Sequence, residues 1–361
     1  MKTKKKKRAR RIRLAVLLLL VLAAAVRLFF RYREAAGERE AVIPFRFDQY
    51  SDNRFSLIGR GLLVVSDLSY SVFDENGVLL SERVHNYPVP LTEVCGRYAV
   101  LWSQEGNAVT VVSDKGDAVT LNCSGNVLGA DVNDAGWTVC ISGEDGSKGL
   151  VSAANPKGEP VFRLHMGGSY PMDAELLSDN TRAAVLSLQS EGSHVGIFDF
   201  GEEAEQTGWT DSESLFFELE ALRGGNLMVL SSDRAVFLDS RCRLIGEYSF
   251  GGDSLRDYVC TGDGFVALLL DRYKSGGAAK LITLNTEGGV LAERELNEEV
   301  EGMNASGKYL SVRHSVQTVL YSSVLQECAR LESASDILSS LVRADGSAII
   351  VSGGIAGVYQ P

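Results

Sequence analysis

The sequence predicts an all-β fold, an eight-bladed β-propeller behind an N-terminal transmembrane helix. Three observations carry that prediction. Paired β-rich runs around a turn of Ser, Asp, Glu or Gly recur along the chain, with ends at 74, 114, 155, 199, 239, 285, 322 and 360. Their spacing averages about 41 residues, the period of a four-stranded propeller blade. The last unit stops at Pro361 with no outer strand, while a strand-like segment, 41–50 (AVIPFRFDQY), precedes the first. That segment can pair onto the last blade and close the ring, which removes the exposed sheet edges a β protein must otherwise protect. No amphipathic helical pattern longer than two turns follows residue 40 unless SDILSSLV (335–342) is one, and it reads as an inner strand. Seven blades is the rival count, because the units near 172 and 336 diverge.

The chain opens with a basic head, 1–13 (MKTKKKKRARRIR), carrying nine Lys and Arg. An apolar run follows, placing a transmembrane helix at 14–30. From Ile12 to Phe30 a helix spans about 28 Å, close to the ~30 Å hydrocarbon layer. Thirteen of those residues are Leu, Ile, Val or Phe, which favour insertion by several kcal/mol. Arg27 opposes this by at most about 3 kcal/mol, and by less near the helix end, where it can snorkel. Three Arg follow or end the run against nine basic residues before it, which places the N-terminus in the cytoplasm and the body outside. The alternative is secretion after cleavage at Ala23-Ala24-Ala25, an A-x-A site. Residues 31–40 read as a polar stalk and 41–361 as the extracytoplasmic propeller.

Charge divides the same way. Residues 1–33 hold twelve of the 36 Lys and Arg and no acid, leaving 24 against 47 Asp and Glu, a net of −23 for the body. A body of that charge does not bind nucleic acid, where affinity comes from neutralising phosphates.

Within a unit, the turn between third and fourth strands is the clearest feature. Asp74-Glu75-Asn76-Gly77, Asp114-Lys115-Gly116, Pro156-Lys157-Gly158 and Thr286-Glu287-Gly288 each precede an outer strand. The glycines supply the positive φ such turns need. Inner strands precede each pair, as at 91 (LTEV), 215 (LFFELE) and 257 (DYVCT).

Anchor, acidic body and eight VFDENG-type units together resemble a family of bacterial single-pass membrane proteins catalogued as a domain of unknown function. The outer part of those proteins is similar to a WD-repeat or quinoprotein-like propeller. The resemblance implies export and a propeller, with no assigned activity. The Gly-His and Trp-Asp pairs of WD repeats are missing, as is the Trp signature of quinoprotein blades, so no quinone cofactor is implied.

The remaining motifs read as structural. GMNASGKY (302–309) falls short of a phosphate loop, because Tyr309 stands where a metal-binding hydroxyl belongs and a strand follows where a helix is needed. Its plain reading is a turn between first and second strands. Cys95, Cys123, Cys140, Cys242, Cys260 and Cys328 show no zinc spacing and read as small buried hydrophobes; Cys123 with Cys140 is the first disulfide candidate. GEEAE (201–205) and LNEEVEG (296–302) lack the oxygen spacing of a calcium loop and read as solvated acidic turns. No metal site and no cofactor is expected.

His85 and His165 open loops ending in Tyr-Pro, whereas His194 and His314 have no partner at helical spacing. Such loops join one blade to the next, on the face where propellers bind partners. This makes Tyr87, Tyr170, Trp209 and Arg256 the candidate rim contacts, against the plainer reading of loop packing, since aromatics and Arg dominate hot spots. The functional expectation is a non-catalytic binding or scaffold module for a protein or cell-envelope ligand. The alternative is an envelope polysaccharide hydrolase or lyase, which needs only two facing carboxylates at the channel mouth.

Overall fold

The computed structural model describes residues 45–361 apart from 51, 203, 262–263, 273–278, 333–336 and 361. The expected head, helix and stalk lie outside the described residues, among which no helix is long and apolar enough to cross a membrane. Eight four-stranded antiparallel sheets follow one another, seven of them with their strands in chain order from inner to outer edge. Blades 1 to 7 begin at Arg54, Leu91, Val127, Tyr170, Phe216, Ser254 and Gly302. Blade 8 takes three strands from the C-terminus (Ser339–Val342, Ala348–Ser352, Ile355–Tyr359) and its outer strand, Phe45–Arg46, from the N-terminus. Phe45 lies opposite Ala356 and Arg46 opposite Ile355. The ring is thus eight-bladed and closed by the N-terminal strand; among the described residues of that segment, 45–50, Phe45 and Arg46 form the ladder.

The middle strands of a blade are covered on both faces by neighbouring blades, so they read as unbroken apolar runs. Gly61–Val65, Thr138–Ser142 and Leu227–Ser231 are buried throughout. Outer strands such as Leu79–Val84 face water and mix polar with apolar residues. The core is therefore divided among blade interfaces. Leu186 and Ile197 of blade 4 meet Phe216, Leu219 and Val229 of blade 5, for example.

The Asp-x-x-Gly turn has a simple cause. Asp74 Oδ1 accepts the N–H groups of Asn76 (2.8 Å) and Val78 (2.9 Å), and Gly77 sits at φ 76°. Asn155, Asp239 and Asn285 repeat the pattern with their own following N–H groups. In blades 5 and 7 the glycine position holds Cys242 (φ 55°) and Leu325 (φ 54°). Both side chains are buried in blade interfaces, so apolar burial offsets their backbone strain.

The ring has two unlike faces. One carries the turns between first and second and between third and fourth strands, here called the turn face. Its described loops hold eleven Asp and Glu against nine Lys and Arg, many of them paired. Arg60 joins Glu75 (2.7 Å) to Asp345 of blade 8 (2.7 Å), and Arg97 meets Asp114 at 2.8 Å. The other, the mouth face, carries the loops between blades and between second and third strands. Its described loops hold thirteen Asp and Glu against two Lys and Arg. Outer strands run from turn face to mouth face, and Phe45–Arg46 takes that place in blade 8, so the chain ahead of Phe45 joins at the turn face.

Candidate functional site: the central channel and its mouth

The innermost strand of each blade has one ladder partner and one free edge on the central axis. On blade 4, Ala174 and Leu176 pack into the core while Asp173 and Glu175 take the other side of the strand. On blade 5, Leu219 packs inward between Glu218 and Glu220. Glu93, Asp131 and Asp257 occupy the inner strands of blades 2, 3 and 6. Five consecutive blades thus bring seven carboxylates to the channel. The inner strands of blades 7, 8 and 1 bring none. That the acids converge is shown by their mutual effect: the charge of Glu218 acts on Glu93, three blades away, and that of Asp131 on Glu220.

Part of the arrangement serves the fold. Free-edge N–H groups need acceptors. Asp173 Oδ2 accepts from Leu219 N of the next blade at 2.8 Å, and Glu175 Oε2 from Ala221 N at 3.4 Å. Tyr258 donates its hydroxyl to Glu220 Oε1 at 3.0 Å. In blade 7 a neutral residue suffices: Asn304 Oδ1 accepts from Val342 N at 2.9 Å. The fold needs an acceptor there, and the negative charge is surplus to that need.

The charge is costly. Burial, then neighbouring acids, push the Glu93 carboxyl up to about 7 and Asp173 up to about 8; burial raises Asp131 to about 6. Glu175 and Glu220 rise well above the usual carboxylate range for the same reasons, and burial raises Glu218 and Asp257. Each keeps some surface on the lumen, Glu93 the most, but surrounding blades displace much of its water. Among these groups only Asp257 is eased by a nearby cation, Arg256.

Above the acids lies an apolar rim. Four consecutive inner strands carry a β-bulge near their mouth-face end, at Leu128, Met172, Phe217 and Arg256. A bulge turns a side chain out of the sheet. Leu128, Met172 and Phe217 are accordingly 50%, 40% and 41% exposed.

The four candidate rim residues do not come together. Tyr170 and Arg256 stand at the mouth, where Tyr170 is half exposed and meets Lys148 Nζ at 2.8 Å. Arg256 donates to Val300 O at 2.6 Å. Trp209 lies on the outer strand of blade 4 with its ring edge-on to Phe216. Tyr87 is buried, and its hydroxyl pairs with Thr110 Oγ1 at 2.8 Å, so it packs the loop and offers no rim surface. Sequence reasoning misses the channel acids, although a signal exists: Asp-Ala-Glu (173–175) and Glu-Leu-Glu (218–220) put paired acids on one side of strands expected to be buried.

Elsewhere many polar side chains are paired with one another, although His85 Nε2, Trp102 Nε1 and Arg343 Nε are among the buried polar atoms without a partner among the described residues. A cavity of about 180 Å³ beside blade 4 is lined by His165, Ser187, His194 and Glu205 among others. It is no nucleophile site, because Ser187 donates to the His194 carbonyl while the His194 ring is held by Thr210 (2.8 Å) and Glu205 (3.0 Å). Glu299 and Glu301 face Arg256 and Arg313. Gly302–Ser306 and Tyr309–Arg313 are strands joined by a two-residue turn, with no helix N-terminus to hold phosphate. Among the described residues no group of three His, Cys, Asp or Glu is placed to hold a metal ion.

Residues 40–350 match the model of a family of unknown function, DUF5711, and the chain belongs to that family. No curated protein matches its sequence. Among solved structures it is similar to the C-terminal WD40 domain of Sif2, with a TM-score of 0.62 at 13% identity over 90% of this chain and 98% of that one. It is similar also to BamB from Moraxella catarrhalis, with a TM-score of 0.54 at 14% identity over 88% and 98%. Hsv2p of Kluyveromyces lactis gives 0.53 at 13% identity over 80% and 100%. At these identities the likeness is one of fold.

Proposed function

We propose that this propeller is a non-catalytic binding module, held outside the cytoplasmic membrane by helix 14–30, whose mouth takes a protein segment with Lys or Arg beside apolar side chains. The observation that carries the reading is the bulged apolar rim, Leu128, Met172 and Phe217, set over seven carboxylates with almost no opposing cation. Apolar contact supplies affinity at roughly 25 cal/mol per Å² covered. A cation entering the channel relieves repulsion among the acids and adds specificity. The chain ahead of Phe45 joins at the turn face, and a mouth turned away from the membrane is part of this proposal.

The test uses the full chain in lipid nanodiscs and a labelled amphipathic peptide bearing Lys. Binding should weaken with added salt, fall at least tenfold in Asp173→Asn/Glu218→Gln, and vanish for the same peptide with Glu in place of Lys. Equal binding of both peptides, or by the variant, would sink the proposal. Proximity labelling in the native membrane tests the location; labelling of cytosolic proteins by a propeller-fused enzyme would refute it.

A second reading, an envelope polysaccharide hydrolase or lyase, is favoured by Glu93, Asp131 and Asp173, whose carboxyls bind protons near neutral pH as a general acid must. Release of new sugar ends by wild type and not by Asp173→Asn would establish it in place of the first.

A further inference from the structure

We infer that Cys123 and Cys140 are a disulfide-forming pair that ties blade 2 to blade 3. This stands apart from the binding proposal. The two sulfurs lie 3.4 Å apart. Cys123 follows the outer strand of blade 2, while Cys140 sits in the second strand of blade 3, opposite Ser152. Both side chains belong to one interface core, with Val100, Val109 and Val127 around them. A bond there would add a covalent tie to the packing, the connecting chain and the Val127 N–H to Gly106 O hydrogen bond that already join the two blades.

The chemistry of the two sulfurs is unequal in a useful way. Cys123 keeps some exposure, whereas Cys140 is buried. The hydrogen bond from Cys123 is the largest influence on the Cys140 thiol, which is lowered to about 7. The Ser152 hydroxyl at 3.1 Å, and Arg163 nearby, also favour its thiolate. Oxidation then proceeds by exchange with an external disulfide, either an oxidoreductase or a small-molecule disulfide. The Cys123 thiol is raised by its hydrogen bond to Cys140 and by burial, so this first step is slow: as the more accessible sulfur, it gives its proton to a solvent base while it attacks one donor sulfur and expels the other as a thiolate, leaving a mixed disulfide. The Cys140 thiolate attacks Cys123 Sγ and expels the second donor thiol. Two electrons pass to the donor, and the protein loses two hydrogens.

The pattern among the other thiols sharpens the assignment. Burial raises Cys95 and Cys242 up to about 12, and Cys260 well above its ordinary value; what sets Cys123 and Cys140 apart is the contact between their sulfurs. Cys328 is exposed, and its sulfur meets the Gln326 carbonyl at 3.5 Å.

The experiment equilibrates the purified full chain with glutathione and glutathione disulfide, blocks free thiols by alkylation while the protein is folded and again after denaturation, and maps peptides without reduction. A cross-linked peptide pair containing Cys123 and Cys140 is expected, with Cys95, Cys242 and Cys260 recovered as thiols. Reductant should lower the melting temperature of the wild type and leave that of Cys123→Ser unchanged. Recovery of Cys123 and Cys140 as two free thiols from oxidised, folded protein would overturn the inference. So would a bond from either to a third cysteine, or an equal response of Cys123→Ser to reductant. Because glutathione is supplied in solution, the outcome does not depend on where the protein resides.

Discussion

The turn face and the channel use the same residues, Asp and Glu, to opposite ends. On the turn face carboxylates are matched. Asp345 meets Arg60 and Ser347, and Asp239 meets Arg243 and its own turn; hydrogen bonds and cations hold both below the usual carboxylate range despite some burial. In the channel, carboxylates are gathered against one another and raised. The first arrangement stabilises the ring. The second destabilises it, although Asn304 shows that a neutral acceptor can serve the same edge. Structure that lowers stability where a neutral solution exists marks a site kept for another purpose.

Changes on the turn-face side should therefore alter stability alone. Phe45, the first residue of the closing strand, is wholly buried and meets Phe73 edge-on at 6.0 Å. Phe45→Ala should cost about 3–5 kcal/mol in chemical denaturation and leave peptide binding by the remaining folded fraction intact. A cost below about 1 kcal/mol would mean that ring closure does not rest on this strand.

The channel should show its cost through pH. A carboxyl raised in the folded state stays protonated there while the unfolded chain ionises. Stability therefore falls as pH rises from about 4 to the folded value, and levels above it. With Asp131 near 6 and Asp173 near 8, that window runs from about pH 4 to 8. A loss of several kcal/mol across it is expected, since each tenfold change in a carboxyl's proton affinity is worth about 1.4 kcal/mol. The turn-face groups have the opposite sign: Asp345, Asp239 and Asp179 are lowered, so their contribution is complete above about pH 4 and lost on acidification below it. Denaturation midpoints from pH 3 to 8 should thus pass through a maximum on the acid side of neutrality. A steady rise to pH 8 would show that the channel acids are not strained.

Smaller effects refine the contrast. Gly77→Ala forces a side chain into φ 76° and should cost about 1–2 kcal/mol. Leu325→Gly relieves the same strain in blade 7 but removes a buried side chain, and should still destabilise by about 1 kcal/mol. Arg60→Ala breaks two ion pairs whose side chains are about half exposed, so less than about 1 kcal/mol should be lost, and less still in high salt.

The architecture was legible in the sequence because each blade repeats the same local physics. Asp74, Asn155 and Asn285 each fold their own turn, and the turns set the period. Closure was legible from the missing outer strand of the last unit. The site was not, for two reasons. Bulges at Leu128, Met172 and Phe217 depend on pairing registers that no local pattern announces. Convergence of Glu93 with Glu218 across the axis is a property of the closed ring, between residues far apart in the chain. Aromatic residues near loops were the visible lure, and Tyr87 fills the core instead.

The most direct test of the account is the stability of Asp173→Asn against wild type at pH 5 and pH 8. The substituted amide can still accept the Leu219 N–H but gives up the Ala174 N–H that the other oxygen holds at 2.8 Å, a loss that does not vary with pH, so the pH dependence reports the charge. The variant should gain on the wild type as pH rises, by about 2 kcal/mol or more between pH 5 and pH 8. A variant that gains nothing on the wild type between pH 5 and pH 8 would contradict the claim that the channel carries charge against the interest of its own fold.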